Sequence, residues 1–133
     1  MKNIMVFDTN DTGMNPELPE GVFRFRIREI SYEENALTAY GMSERLTIHF
    51  RVKTDEGWQN YRKNLYPSKN ANSQYRKFMT MVAEAYGKPR FDVGELENAR
   101  GKFEIIHEEK DGRVYANIKR FLTLNGAPEE TAE

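Results

Sequence analysis

Gly101-Lys102-Phe103-Glu104-Ile105-Ile106-His107, continued by Glu108-Glu109-Lys110-Asp111-Gly112-Arg113 and then by Val114-Tyr115-Ala116-Asn117-Ile118-Lys119-Arg120-Phe121-Leu122, reads as one β-hairpin. Asp-Gly between two runs of β-branched and aromatic residues is a strong hairpin signal, because both central residues of the tight turn need positive φ. With Asp111 and Gly112 in those two places, Ile105 lies opposite Ile118 on one face and Glu104 opposite Lys119 on the other. An apolar pair beside an oppositely charged pair is the pattern of a half-buried antiparallel ladder.

Upstream of the hairpin the same alternation recurs. Val22 to Ile30 places Phe23, Phe25 and Ile27 on one face and Arg24, Arg26 and Arg28 on the other. Ser31 to Ser43 has no clear period and contains Asn35 and Gly41, which predicts a long loop. Arg45 to Lys53 alternates again, with Leu46, Ile48, Phe50 and Val52 inward and Arg45, Thr47, His49, Arg51 and Lys53 outward. Thr54 to Gly57 is a turn. The third strand, Trp58 to Tyr66, has a less clean parity: placing Tyr61 and Leu65 near the core leaves Trp58, Arg62 and Tyr66 outside, and a bulge would reverse part of this.

Asn72 to Tyr86 is the one helix, because Tyr75, Phe78, Met79, Val82 and Tyr86 recur at helical spacing. Asn72 or Ser73 caps its start, and Gly87 followed by Pro89 ends it. Asp92-Val93-Gly94-Glu95 has capping-box spacing and opens a single turn before Gly101. Ile4 to Phe7 reads as a short strand or an N-terminal arm, and Asp8 to Glu20 as a loop.

The order is strand, strand, strand, helix, strand, strand. The expected fold is therefore all-β with one helix, a five-stranded Greek-key OB-fold barrel, the small barrel that binds oligonucleotides across its second and third strands. The division that follows is an N-terminal arm and loop over 1–20, the barrel domain over 21–124, and a short acidic disordered tail over 125–133.

The chain has 133 residues, 38% hydrophobic and 31% charged, which suits one domain. It lacks cysteine, which excludes disulfides and thiolate metal sites and makes a reducing cytoplasm the default. No apolar run approaches the ~20 residues of a membrane span, and Met1 to Phe7 turns polar too quickly for a signal peptide. Net charge is −1 but unevenly spread: −3 over residues 1–20, +6 over 21–90 and −4 over 91–133. A basic middle between acidic ends is an argument about partners.

That middle supplies the candidate site. Arg24, Arg26, Arg28, Arg45, His49, Arg51 and Lys53 point outward from the first two strands, and Arg62 and Lys63 follow on the third, with Lys69 just beyond. Trp58, Tyr66 and Tyr40 are the rings available to unpaired bases. Single-stranded nucleic acid needs both kinds of group: cations for phosphates, and flat faces for stacks of about 1–3 kcal/mol each. The competing expectation is that charges merely cover the wet side of a sheet and Trp58 plugs the core.

Other motifs are weaker. Asp11-Thr12-Gly13 matches the aspartic-protease triplet but follows polar Asp8-Thr9-Asn10 where an apolar strand is needed. His107 stands beside Glu108 and Glu109, yet adjacent strand residues face opposite ways and do not converge on one ion. Without a phosphate loop, nucleophile elbow or carboxylate pair, the expectation is no enzyme, no cofactor and no metal.

Leu18-Pro19-Glu20-Gly21-Val22-Phe23, Lys63-Asn64-Leu65 and the hairpin from Gly101 to Phe121 resemble a family of small phage and prophage proteins. Its members are regarded as OB-fold single-stranded-DNA-binding proteins or their kin. The resemblance runs from about Phe7 to Phe121 and implies a homo-oligomer that coats single strands in phage DNA replication or recombination, alongside other phage replication or recombination proteins. The tail Pro128-Glu129-Glu130-Thr131-Ala132-Glu133 is acidic but lacks the terminal aromatic of cellular single-strand-binding proteins, which argues against docking to the same host partners. The alternative expectation is an OB-like protein-interaction module, a phage assembly or host-modulating factor, with an exposed apolar patch and no affinity for nucleic acid.

Overall fold

A computed structural model of the chain describes residues 18–38 and 41–126. Strands β1 (Gly21–Thr38), β2 (Gly41–Thr54) and β3 (Gly57–Leu65) come first. Helix α1 (Gln74–Tyr86) and a 3-10 turn (Val93–Leu96) follow, then β4 (Arg100–Lys110) and β5 (Arg113–Asn125). All five strands belong to one antiparallel sheet, in the order β3-β2-β1-β4-β5. Ile4 to Phe7, Asp11-Thr12-Gly13, Tyr40 and the acidic tail lie outside the described residues.

The β4–β5 hairpin turns where the Asp-Gly rule places it, with φ of 54° at Asp111 and 79° at Gly112. Ile105 pairs with Ile118 as expected. Glu104, however, pairs with Arg120 and not with Lys119, because the register shifts by one residue between Glu104 and Ile105. The charge logic survives the slip: Arg120 Nε lies 2.8 Å from Glu104 Oε1.

The predicted loop from Ser31 to Ser43 is mostly strand. Beyond a shift between Glu33 and Ala36, β1 and β2 stay paired out to Thr38 and Gly41. In this outer part, β1 and β2 have only each other as ladder partners. The absence of a flanking strand is the physical reason the stretch lacks a period. With little core beneath it, nothing selects alternation.

The inner face is built on phenylalanine. Phe25 stacks on Phe103 with ring centres 4.6 Å apart, and Phe50 lies 5.4 Å from both rings. Leu46, Ile48, Val52, Tyr61, Leu65, Ile105 and Leu124 complete the layer, all buried. Gly101 is required by close approach: a Cβ there would stand 2.1 Å from the Thr123 carbonyl oxygen. Ser73 caps α1 by accepting from the Arg76 N–H at 3.1 Å, and Gly87 ends it in the left-handed region.

The barrel expectation requires correction at one seam. Among the described residues, β3 and β5 share no ladder, so the sheet is not closed into a barrel. Phe78 of α1 stands in the gap, with the Lys63 ammonium of β3 over its ring at 5.8 Å and Phe121 of β5 edge-on at 5.8 Å. A helix is about 10 Å wide with its side chains, roughly twice the strand spacing, and holds the two edges apart. The Tyr61 hydroxyl still spans the seam, donating to the Ala116 carbonyl at 2.7 Å.

Candidate nucleic-acid interface

Pairing register turns the outward residues into rows running across the strands. The first row is Trp58 on β3, Lys53 on β2, Arg24 on β1, Lys102 on β4 and Thr123 on β5. The second is Asn60, Arg51, Arg26, Arg100 and Asn125 in the same strand order. A third begins with Arg62 and His49 and ends at the β1 register shift, where Arg28 and Glu29 share the place opposite His49. The inward phenylalanines fix this arrangement, since alternate residues must then face water.

Arg24, Arg26, Arg28, Lys53, Arg62 and Lys102 are exposed. Among the described residues, no carboxylate pairs with any of these six side chains. Arg51 Nη1 donates to Asn60 Oδ1 at 2.9 Å, which braces the guanidinium across to β3. Trp58 is 48% exposed at the end of the first row, so the core-plug alternative fails for it. The first two rows border a cleft of about 570 Å³ that includes Arg24, Arg26, Arg51, Trp58 and Lys102. That volume falls within the roughly 300–1,000 Å³ range of small-ligand pockets.

Four predicted site residues fall elsewhere. Lys63 occupies an inward position between Tyr61 and Leu65, half-buried over Phe78. Burial lowers its pKa, opposed by the Glu108 charge, and it borders a separate groove lined by both lysines and carboxylates. Arg45 is half-buried on the outer face and held by Glu33, whose carboxylate raises the guanidinium pKa. Tyr66, 44% exposed, lies beside Arg45 beyond the end of β3, off the cation rows. Lys69 is exposed in the link between β3 and α1. His49 stays on the outer face, its Nε2 3.4 Å from the Ser31 hydroxyl.

Two cations escaped sequence reasoning: Arg100 and Lys102, opposite Arg26 and Arg24 on β4. The signal was present. Phe103 is the inward residue of the run, so two-residue parity sends Lys102 and Arg100 outward. Glycine at 101 obscured it for Arg100, since a residue without a side chain declares no face.

Among the described residues, no group of three or more His, Asp or Glu side chains is placed to hold a metal ion. His107 instead meets the stretch that leads into β1, with Nε2 2.8 Å from the Leu18 carbonyl oxygen and its backbone N–H donating to Glu20. No described helix is long and apolar enough to cross a membrane. No protein-family model and no curated protein sequence matches the chain.

Proposed function

We propose that this protein is a non-enzymatic, sequence-independent binder of single-stranded DNA. In this reading its sheet is an OB-related one opened at the β3–β5 seam, since every other neighbour relation along β3-β2-β1-β4-β5 is in place. One observation carries the proposal. Six exposed cations unpaired with any described carboxylate share an outward face with a half-exposed indole. Cations for phosphates and a ring for bases are the two components that single-strand binding needs. The resemblance to phage and prophage proteins supports a homo-oligomer acting in the cytoplasm of an infected cell, in DNA replication or recombination.

The test is a titration of labelled oligothymidine and of a matched duplex, each at two salt concentrations. Preference for the single strand is expected, with log affinity falling by about 0.7 per neutralised phosphate for each unit of log salt. Equal affinity for the duplex, or binding indifferent to salt, defeats the proposal.

A second reading, a protein-interaction module, is favoured by one observation. Leu37 and Met42 pair across the far end of the β1–β2 hairpin and are 79% and 62% exposed. It expects no nucleic-acid shift in the same titration.

A further inference from the structure

We propose that the outer ribbon of β1 and β2, beyond Tyr32 and Leu46, docks on the cation rows of a second copy of this chain and joins copies head to tail. This contact goes beyond the single-strand reading and does not depend on it.

The ribbon carries an apolar side with nothing over it. Leu46 is the outermost core residue of β2 and is buried. Two-residue parity puts Glu44 and Met42 on the same side of the ribbon as Leu46. Cross-strand pairing adds Tyr32 opposite Leu46 and Leu37 opposite Met42. The core stops at Leu46 but its apolar side continues, with Tyr32, Leu37 and Met42 52%, 79% and 62% exposed. The ribbon is also acidic. Glu33 and Arg45 neutralise each other, whereas the exposed Glu34 and Glu44 pair with no described cation.

The other end of the same two strands is the complement. There, six exposed cations pair with no described carboxylate, and the Trp58 indole is half-exposed beside them. Carboxylates meeting unpaired guanidinium groups, with Leu37 and Met42 against the indole, satisfy both surfaces at once. Opposite potentials steer such an encounter and fix its register. The contact joins two molecules and not two parts of one. Leu37 and Met42 lie on the same ladder as Arg24 and Lys53, more than ten residues farther on at roughly 3.3 Å each. A paired ribbon of that reach does not double back on the face from which it grows.

Dissimilar patches make a heterologous contact, which leaves one ribbon and one face open and so adds further copies. A ribbon about 20 Å long and 10 Å wide covers roughly 200 Å², well below the roughly 800 Å² per partner of a standard interface. The assembly is therefore weak, concentration-dependent and released by salt. Where the single-strand reading holds, ribbon and polynucleotide compete for one face.

Sedimentation velocity of the full chain without nucleic acid tests this. Mass is expected to rise with protein concentration at about 0.05 M salt. It should fall back to monomer at about 0.5 M, where the Debye length is roughly three-fold shorter. Emission of Trp58, the single tryptophan, should shift to the blue as copies assemble. Glu34→Gln with Glu44→Gln removes the charge of the ribbon, and Arg24→Gln with Arg26→Gln weakens that of the face. Each variant alone is expected to stay monomeric. An equimolar mixture should form a dimer and nothing larger, since only one intact ribbon then meets one intact face. Circular dichroism confirms that both variants are folded. An unmodified chain that stays monomeric at every concentration overturns the docking, as do variants that associate singly or a mixture that does not associate. Oligothymidine binding by a chain that never assembles would leave the single-strand reading standing without the docking. Assembly by a chain that binds no oligonucleotide would do the reverse.

Discussion

The same two strands build two unlike regions. Near Arg24 and Lys53, β1 and β2 are flanked by β4 and β3, and beneath them lie Phe25, Phe50 and Phe103. Farther out they form a two-stranded ribbon in which Glu33 pairs with Arg45, and the Tyr32 hydroxyl donates to Glu44. In the flanked region, core packing holds the backbone, and the side chains of Arg24, Arg26, Arg28, Lys53, Arg62 and Lys102 pair with no described carboxylate. In the ribbon, cross-strand polar pairs are a larger part of what holds the strands, since isolated two-stranded hairpins are marginal in water. Charge is free for a ligand where the core does the holding.

If that contrast is right, the largest effect comes from beneath the flanked region. Phe103 is fully buried among four aromatic rings. Phe103→Ala should cost about 3–5 kcal/mol of unfolding free energy, measured by urea denaturation. A cost below the range for surface changes, about 0.5 kcal/mol, would show that the core does not anchor the cation rows. Gly101→Ala comes next, since its methyl group collides with the Thr123 carbonyl. Overpacking of this kind costs about 1–3 kcal/mol. A β4–β5 register tolerant enough to absorb it would break the argument for a rigid cleft floor.

The cation rows should behave in the opposite way. Replacing Arg24, Arg26 and Arg28 together by Ala should change stability by no more than about 0.5 kcal/mol per site, while oligothymidine affinity falls. Marked unfolding would mean that these arginines serve the fold, and the contrast between regions would collapse. Unchanged affinity in a folded variant would remove β1 from the interface.

How much of this was legible beforehand follows the same divide. The Asp111-Gly112 turn was readable because its backbone geometry admits few residue types. The inward sets of β1 and β2 were readable because a packed face enforces period two. Register shifts were not, since one extra residue alters no composition: the shift before Ile105 moved the partner of Glu104 from Lys119 to Arg120. The open seam was hidden too, because nothing in α1 alone says whether Phe78 caps a closed barrel or stands between its edges. At the site, the alternation that sends Arg24, Arg26, Arg51 and Lys53 outward also sends Lys63 inward between Tyr61 and Leu65, but the weaker parity of β3 hides this among Arg62 and Asn64. Arg100 needed parity carried from Phe103 across Gly101.

The ribbon offers the smallest effect and the most direct view of its polar pairing. The Tyr32 phenol is raised from its ordinary value of 10.0 to about 12, first by its hydrogen bond to Glu44, then by desolvation and by the charges of Glu44 and Glu34. A folded-state pKa above the unfolded one means that the contact helps the ribbon fully below pH 10.0. That help is lost as pH rises through the interval up to about 12. Ultraviolet difference titration of the protein against Tyr32→Phe isolates this phenol from the other six tyrosines. Glu44→Gln should bring its midpoint down toward 10.0, with little change in the melting of the sheet. A midpoint already near 10.0 in the unmodified protein would show that the outer hairpin is not held by its cross-strand pairs.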